Sequence, residues 1–215
     1  MSMVQLLCFG GWLLFLLWQF PRDFWPKLRA ETSYQHLVFA TTIVLGILWS
    51  IQAGIHDGLK LNFLLVTTLV LCHGWRIVLW LCLLPTLFLV YLGKVPMNDI
   101  GLFALAHTVI PALFSYGIFL LSYRYLQRHL FVYIFVAGFL AAALTICLQL
   151  LLSSALFFLD GRYDWQTISD NYLLFALLIW FPEALLNGAA VTLMAIYRPE
   201  WLRTFYDREY LSPER

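Results

Sequence analysis

Charge is what this sequence has least of. Asp, Glu, Lys and Arg make up 12% of its 215 residues and hydrophobic types 62%, whereas a soluble domain carries about 25% charged residues. Water therefore cannot be the solvent for most of its surface. Net charge is only +1, so there is no basic field to hold nucleic acid. Catalytic signatures are missing too. Without a P-loop the chain is not an ATPase, and without G-x-S-x-G or H-E-x-x-H it shows no serine nucleophile and no zinc-protease site. Cys8, Cys72, Cys82 and Cys147 lie singly in apolar runs with no C-x-x-C spacing, and read as small hydrophobes facing neighbouring helices. Residues 1–20 carry no Lys or Arg ahead of their apolar run and no small-residue cleavage site, so a retained first helix is expected rather than a signal peptide.

What the sequence does contain is apolar runs at 3–20, 36–53, 60–74, 77–93, 101–123, 131–158 and 172–197. A helix needs about 20 such residues to cross the hydrocarbon core. Trp and Tyr gather at the run ends, among them Trp18, Trp25, Trp75, Tyr91, Trp165 and Trp201, as interfacial belts do. Residues 60–93 could form one long helix or two, interrupted at Cys72-His73-Gly74-Trp75-Arg76. Basic residues decide between them. Seven spans with the N-terminus outside put ten Lys and Arg inside and leave Lys60, Lys94 and Arg162 outside; six spans split them five to seven and bury Arg76. The positive-inside rule favours the first. The fold expected is all-α: a polytopic transmembrane bundle of about seven spans, N-terminus outside and C-terminus cytoplasmic. One membrane domain would cover 1–197, followed by a cytoplasmic tail, 198–215, the only part expected to be fully wet.

Ionisable groups inside lipid need a reason to be there, since an insertion cost of about 2.5–3.5 kcal/mol opposes each charge. One acid lies within a run, Glu183, in Phe181-Pro182-Glu183-Ala184-Leu185-Leu186-Asn187. Glu183 and Asn187 are four apart and share a helix face, while Pro182 orphans the carbonyl of Leu178. The pair either locks a neighbouring helix or handles a solute or proton. His107 lies four residues before Pro111, so its own carbonyl is orphaned and a kink with an imidazole beside it is expected; it could satisfy a freed carbonyl or act as a ligand. Asn62 and His73, eleven apart in one run, would share a helix face. In the loop Gly54-Ile55-His56-Asp57-Gly58, His56 and Asp57 are either a polar turn or the start of a metal site. Asn98 and Asp99 supply a second polar cluster on the same side, or an ordinary helix cap.

Three stretches carry a resemblance. Asn62 to Gly74 resembles the His-Pro-Thr-Gly…Gly-Pro segment of the cobalt/nickel-type membrane subunit of energy-coupling-factor transporters, the family called CbiM or NikM. Asn98 to Gly117, with Gly101 and Pro111, resembles its Asn…Gly…Gly-Pro…Gly-Tyr segment. Phe181 to Ala190 resembles the late Gly-Glu-Gly segment, with Glu183 on the family's Glu. The resemblance covers roughly 54–196 and implies a substrate-specificity subunit without enzymatic activity. Such a subunit sits in the bacterial cytoplasmic (inner) membrane beside an ABC-type ATPase and a coupling membrane subunit. It would capture a small solute for uptake, a transition-metal ion such as cobalt or nickel among the candidates. Ser2 and Asn62 stand where the family carries its two ligand histidines. On this reading His56 and Asp57 are the metal candidates, and Asn62, Asn98, His107, Glu183 and Asn187 the substrate-binding ones. The alternative is an assembly or accessory protein that kept the scaffold and lost the ion site.

Overall fold

The computed structural model describes residues 2–22, 24–54, 56–206 and 210. Ser2 opens α1 (Met3–Trp18) with a capping box, its hydroxyl accepting from the Gln5 amide while the Gln5 side chain accepts from the Ser2 N–H. Then come α2 (Phe24–Ala30), α3 (Thr32–Ser50), α4 (Val66–His73), α5 (Trp75–Leu81) and α6 (Leu83–Tyr91). Next, α7 (Ile100–Ala104) passes through a π-helical turn, Leu105–Val109, into α8 (Ile110–Tyr125). In the same way α9 (Leu130–Val132) passes through a π-helical stretch, Tyr133–Leu140, into α10 (Ala141–Leu159). The short α11 (Trp165–Asn171) precedes α12 (Ala176–Tyr197), which runs through Pro182 without a break.

The all-helical class is as expected. Among the described residues three helices are long and apolar enough to cross a bilayer, Met97–Tyr125, Leu130–Leu159 and Trp165–Tyr197, with Met3–Trp18 and Trp75–Tyr91 as shorter apolar helices. Of the seven spans expected, three are thus full-length among the described residues. Large apolar side chains cover the outer surface, including Leu14, Leu17 and Leu177 at 72%, 67% and 75% exposure, as a lipid-facing protein requires. Helices approach closely at glycine. A side-chain carbon on Gly101 would collide with the Phe9 backbone, and Gly188 sits against Phe139, the small-residue contacts by which membrane helices pack.

Residues 60–93 are broken where expected, at Gly74, whose φ of +80° ends α4 in a conformation that favours glycine. The first half is not a helix from residue 60, however. Residues 51–54 and 56–65 are not helical, and Ala53 and Leu61 exchange backbone hydrogen bonds of 2.9 and 2.7 Å. Helix begins only at Val66, after Leu65 in the left-handed region at φ 54°. Asn62 and His73 therefore do not lie on one helix, and the shared-face expectation fails. The cause is long-range: Glu183 takes the N–H groups of Leu64 and Leu65 and fixes where α4 starts.

The tail also differs from expectation. Leu202, Thr204 and Phe205 are buried. The backbone N–H groups of Arg203 and Thr204 donate to the Cys72 and Leu71 carbonyls at 3.3 Å, and the Thr204 hydroxyl donates to Leu71 at 3.0 Å. The last carbonyls of a helix have no partner within it, and this segment supplies them. All eight residues of α4 are buried, and both its ends are closed by chain more than a hundred residues away.

Candidate functional site

Two groups of polar side chains lie within the bundle, and they differ in how completely they are satisfied. The first is the α12 pair. Glu183 is 1% exposed; its carboxylate accepts from the N–H of Leu64 at 2.8 Å, the N–H of Leu65 at 2.7 Å and the Asn187 amide at 2.8 Å. A carboxylate here occupies the N-cap position of α4 from another helix, facing orphan N–H groups and the positive end of the helix dipole. The Asn187 amide nitrogen also donates to the Glu183 carbonyl, and its oxygen accepts from the Thr68 N–H at 3.0 Å and the Thr68 hydroxyl at 2.8 Å. That uses two donors and two lone pairs, all the side chain has. Glu183 and Asn187 hold the bundle together, and the amide has no capacity left for a solute.

The second group lines a cavity of about 30 Å³ between the 51–65 segment, the 94–99 turn and α7. A water needs roughly 10–15 Å³ of such space, so the cavity has room for a water or a bare ion. Gln52, Asn62, Lys60, Lys94, Asp99 and His107 are among its walls. His107 sits in the π-helical turn just before Pro111. The missing N–H of a proline and the clash of its ring with the carbonyl four residues back disfavour regular α-helix there. One wider turn absorbs both, and such turns recur at functional sites.

The imidazole of His107 is 6% exposed and stacks on Phe103 at 4.0 Å between ring centres. Its Nε2 lies 3.1 Å from the Gln149 side-chain amide, the same amide atom reaching Ser153 at 3.0 Å and Tyr172 at 3.3 Å. An NH2 group has two hydrogens for these three partners, and amide N and O are interchangeable by assignment. With oxygen in that place, its two lone pairs can accept from Nε2–H and from one of the two hydroxyls. The neutral ring then presents a lone pair at Nδ1. Nδ1 is buried without a hydrogen-bond partner, and the nearby Phe103 carbonyl does not complete one. The Gln52 side-chain oxygen is buried and unpartnered as well.

Beside the cavity a polar latch ties three segments together. Asp99 accepts from Gln5 at 2.7 Å and from both terminal nitrogens of Arg162, one of them at 2.6 Å. The Arg162 Nε donates to Asp160 at 2.5 Å, and the Ser2 hydroxyl donates to Asp160 as well. Fork-to-carboxylate pairing of this kind is strong and directional, and the Asp99 hydrogen bond is the first cause that pushes the Arg162 guanidinium further above its usual range. Asp99 therefore does not cap its own helix.

The remaining expected site residues lie elsewhere. The Asp57 side chain is 95% exposed and 3.5 Å from Lys60, and His56 packs toward Tyr163 at 5.5 Å; neither lines the cavity. Asn98 is exposed in the turn Met97–Asp99. Asn62 does line the cavity, its amide donating to the Phe63 carbonyl at 3.2 Å. Among the described residues, no three His, Cys, Asp or Glu side chains gather as a metal cluster. Sequence reasoning passed over Gln52, Gln149 and Arg162, although Gln149 stands out as an amide inside the apolar run 131–158.

A family model described as the cobalt uptake substrate-specific transmembrane region, CbiM, matches residues 4–201. The chain belongs to that family. No curated protein and no solved structure matches it. The match extends beyond the 54–196 stretch and takes in α1. The family is one of transporter components, not of enzymes, and membership makes this chain a multi-pass membrane component of a cobalt-uptake type. Ser2, which stands where the family resemblance places a ligand histidine, gives its hydroxyl to Asp160.

Proposed function

We propose that this chain is the solute-capturing membrane subunit of an energy-coupling-factor-type uptake system, and that its cargo is a bare or nearly bare transition-metal ion received at the His107 cavity. The observation carrying this reading is that two residues walling one small cavity, His107 and Gln52, each hold a buried atom without a hydrogen-bond partner, Nδ1 and Oε1. A ligating histidine commonly donates its other ring N–H to a fixed oxygen, and the Gln149 amide oxygen would serve as that acceptor. Imidazole favours cobalt or nickel over magnesium or calcium. Asn62 would add a third, neutral oxygen. An ATPase pair and a coupling membrane subunit would drive release into the cytoplasm, with the N-terminus outside.

One feature favours the second reading, a scaffold without an ion site. Lys60 and Lys94 stand at the cavity, and two ammonium groups oppose a divalent cation. The two readings separate cleanly. Radiolabelled cobalt uptake by cells producing the chain with its transporter partners, together with elemental analysis of the purified protein, is the decisive pair of measurements. Uptake that falls at least tenfold in His107→Phe at equal protein level supports capture. Equal uptake in that variant, with no metal retained by the parent protein, leaves the scaffold.

A further inference from the structure

The opposite polar end of the bundle, where Arg22, Arg76 and Arg203 gather, has no part in solute capture. We propose that it binds the phosphodiester headgroup of an acidic phospholipid in two connected clefts that share Arg76 and Arg203. One cleft, of about 440 Å³, is walled by those two arginines with Trp75, Tyr116 and Tyr206. The other, of about 540 Å³, adds Arg22, Trp18 and Phe20. Both volumes fall within the roughly 300–1,000 Å³ of ligand-sized clefts. All three arginines are exposed, and none forms an ion pair among the described residues. Arg203 is held in place by its own backbone, and its guanidinium reaches the His73 carbonyl at 3.3 Å. The Arg76 guanidinium lies 5.3 Å from the Trp75 ring centre.

Guanidinium groups match phosphate oxygens in pairs, so the ligand carries a phosphate-like anion. The surroundings say that it also carries acyl chains. The larger cleft opens at Trp18, 79% exposed, which continues the apolar outer surface of α1 through Leu14 and Leu17. The smaller cleft opens at Leu120, 45% exposed on α8. An amphiphile can lay its chains along these helices while its headgroup reaches the arginines, and indole and phenol side chains sit at headgroup depth in membrane proteins. A basic pocket between helices at the interface is the arrangement that recruits acidic lipids.

The test uses the full chain in neutral detergent, titrated separately with phosphatidylglycerol, phosphatidylcholine and inorganic phosphate, with retention read by native mass spectrometry. Phosphatidylglycerol should be retained in preference to phosphatidylcholine, and phosphate alone should bind far more weakly. Each arginine near the interface contributes about a fivefold factor. Arg76→Gln should therefore weaken retention about fivefold, and Arg22→Gln with Arg76→Gln roughly twenty- to thirty-fold. Both side chains are exposed, so melting in neutral detergent should stay unchanged and separates loss of binding from loss of fold. Equal retention of the two lipids, equal retention by parent and double variant, or phosphate binding as tight as the lipid's would overturn the proposal. So would charge-dependent capture of an acidic protein in place of lipid.

Discussion

The polar pair on α12 and His107 each lie within a few residues of a proline in the sequence, yet the pair and the polar residues around His107 have opposite hydrogen-bond ledgers. At Glu183 and Asn187 each group has found a partner within the chain, and the result is a fixed helix start. At His107 and Gln52, two residues that wall one small cavity, one atom each has none. Leaving a buried polar atom unpaired costs about 1–3 kcal/mol, which a fold tolerates where a bound species restores the missing contact. Trp80 Nε1, Thr145 Oγ1 and Trp201 Nε1 are buried without partners as well, so what sets His107 and Gln52 apart is that both residues also wall one cavity.

The sharpest way to break the comparison is Glu183→Ala. It orphans the Leu64 and Leu65 N–H groups and releases the left-handed backbone at Leu65, so a destabilisation of about 2–6 kcal/mol is expected from two buried unpaired donors. Thermal unfolding in detergent should show a large drop or a failure to accumulate in the membrane, with Glu183→Gln intermediate. A Glu183→Ala protein that melts like the parent but no longer moves cobalt would reverse the assignment and make the carboxylate a solute ligand. Next in size is Arg162→Ala, which strips the guanidinium from Asp99 and Asp160, whose side chains are 7% and 3% exposed. Removing one partner of a buried pair costs about 3–5 kcal/mol. Gln5 and Ser2 remain as donors to the two acids, and Arg162 is 27% exposed, so about 2 kcal/mol is expected. Faster protease cleavage near the 160–164 loop would accompany it. Asn187→Ala follows, with about 1–3 kcal/mol lost through the Thr68 contacts and cobalt uptake reduced only in proportion to protein level.

The sequence carried the class of the fold and the location of the polar residues, but not their partners. Glu183 and Asn187 on one helix face follow from spacing of four, and the disturbance at His107 follows from Pro111. That Glu183 reaches Leu64 and Leu65 does not follow, because the contact spans 119 and 118 residues and no local pattern encodes it. The same holds for the tail, where four arginines suggested a solvated end while Leu202, Thr204 and Phe205 close the last turn of α4. The helix break at Gly74 was legible because glycine marks it; the late start at Val66 was not, because Leu65 gives no sign of its left-handed backbone. His56 and Asp57 looked like ligands because they are polar side chains in an irregular loop. Gln52 and Gln149 went unmarked because neither lies in one of the three stretches that carry the family resemblance.

The smallest expected effect on stability, and the one that decides the reading of the cavity, belongs to His107→Phe. Phenylalanine keeps an aromatic ring to stack on Phe103, a slightly larger one, while removing both nitrogens. Losing Nε2 leaves the Gln149 amide with its Ser153 and Tyr172 partners still in place, and losing Nδ1 removes an unpaired buried atom outright. The two changes oppose each other, so melting should move by less than about 1 kcal/mol. A fastening of the Glu183 kind would not behave this way. If cobalt retention disappears from a protein whose melting is unchanged, the imidazole serves a ligand and not the bundle; a loss of several kcal/mol would instead place His107 beside Glu183 as part of the frame.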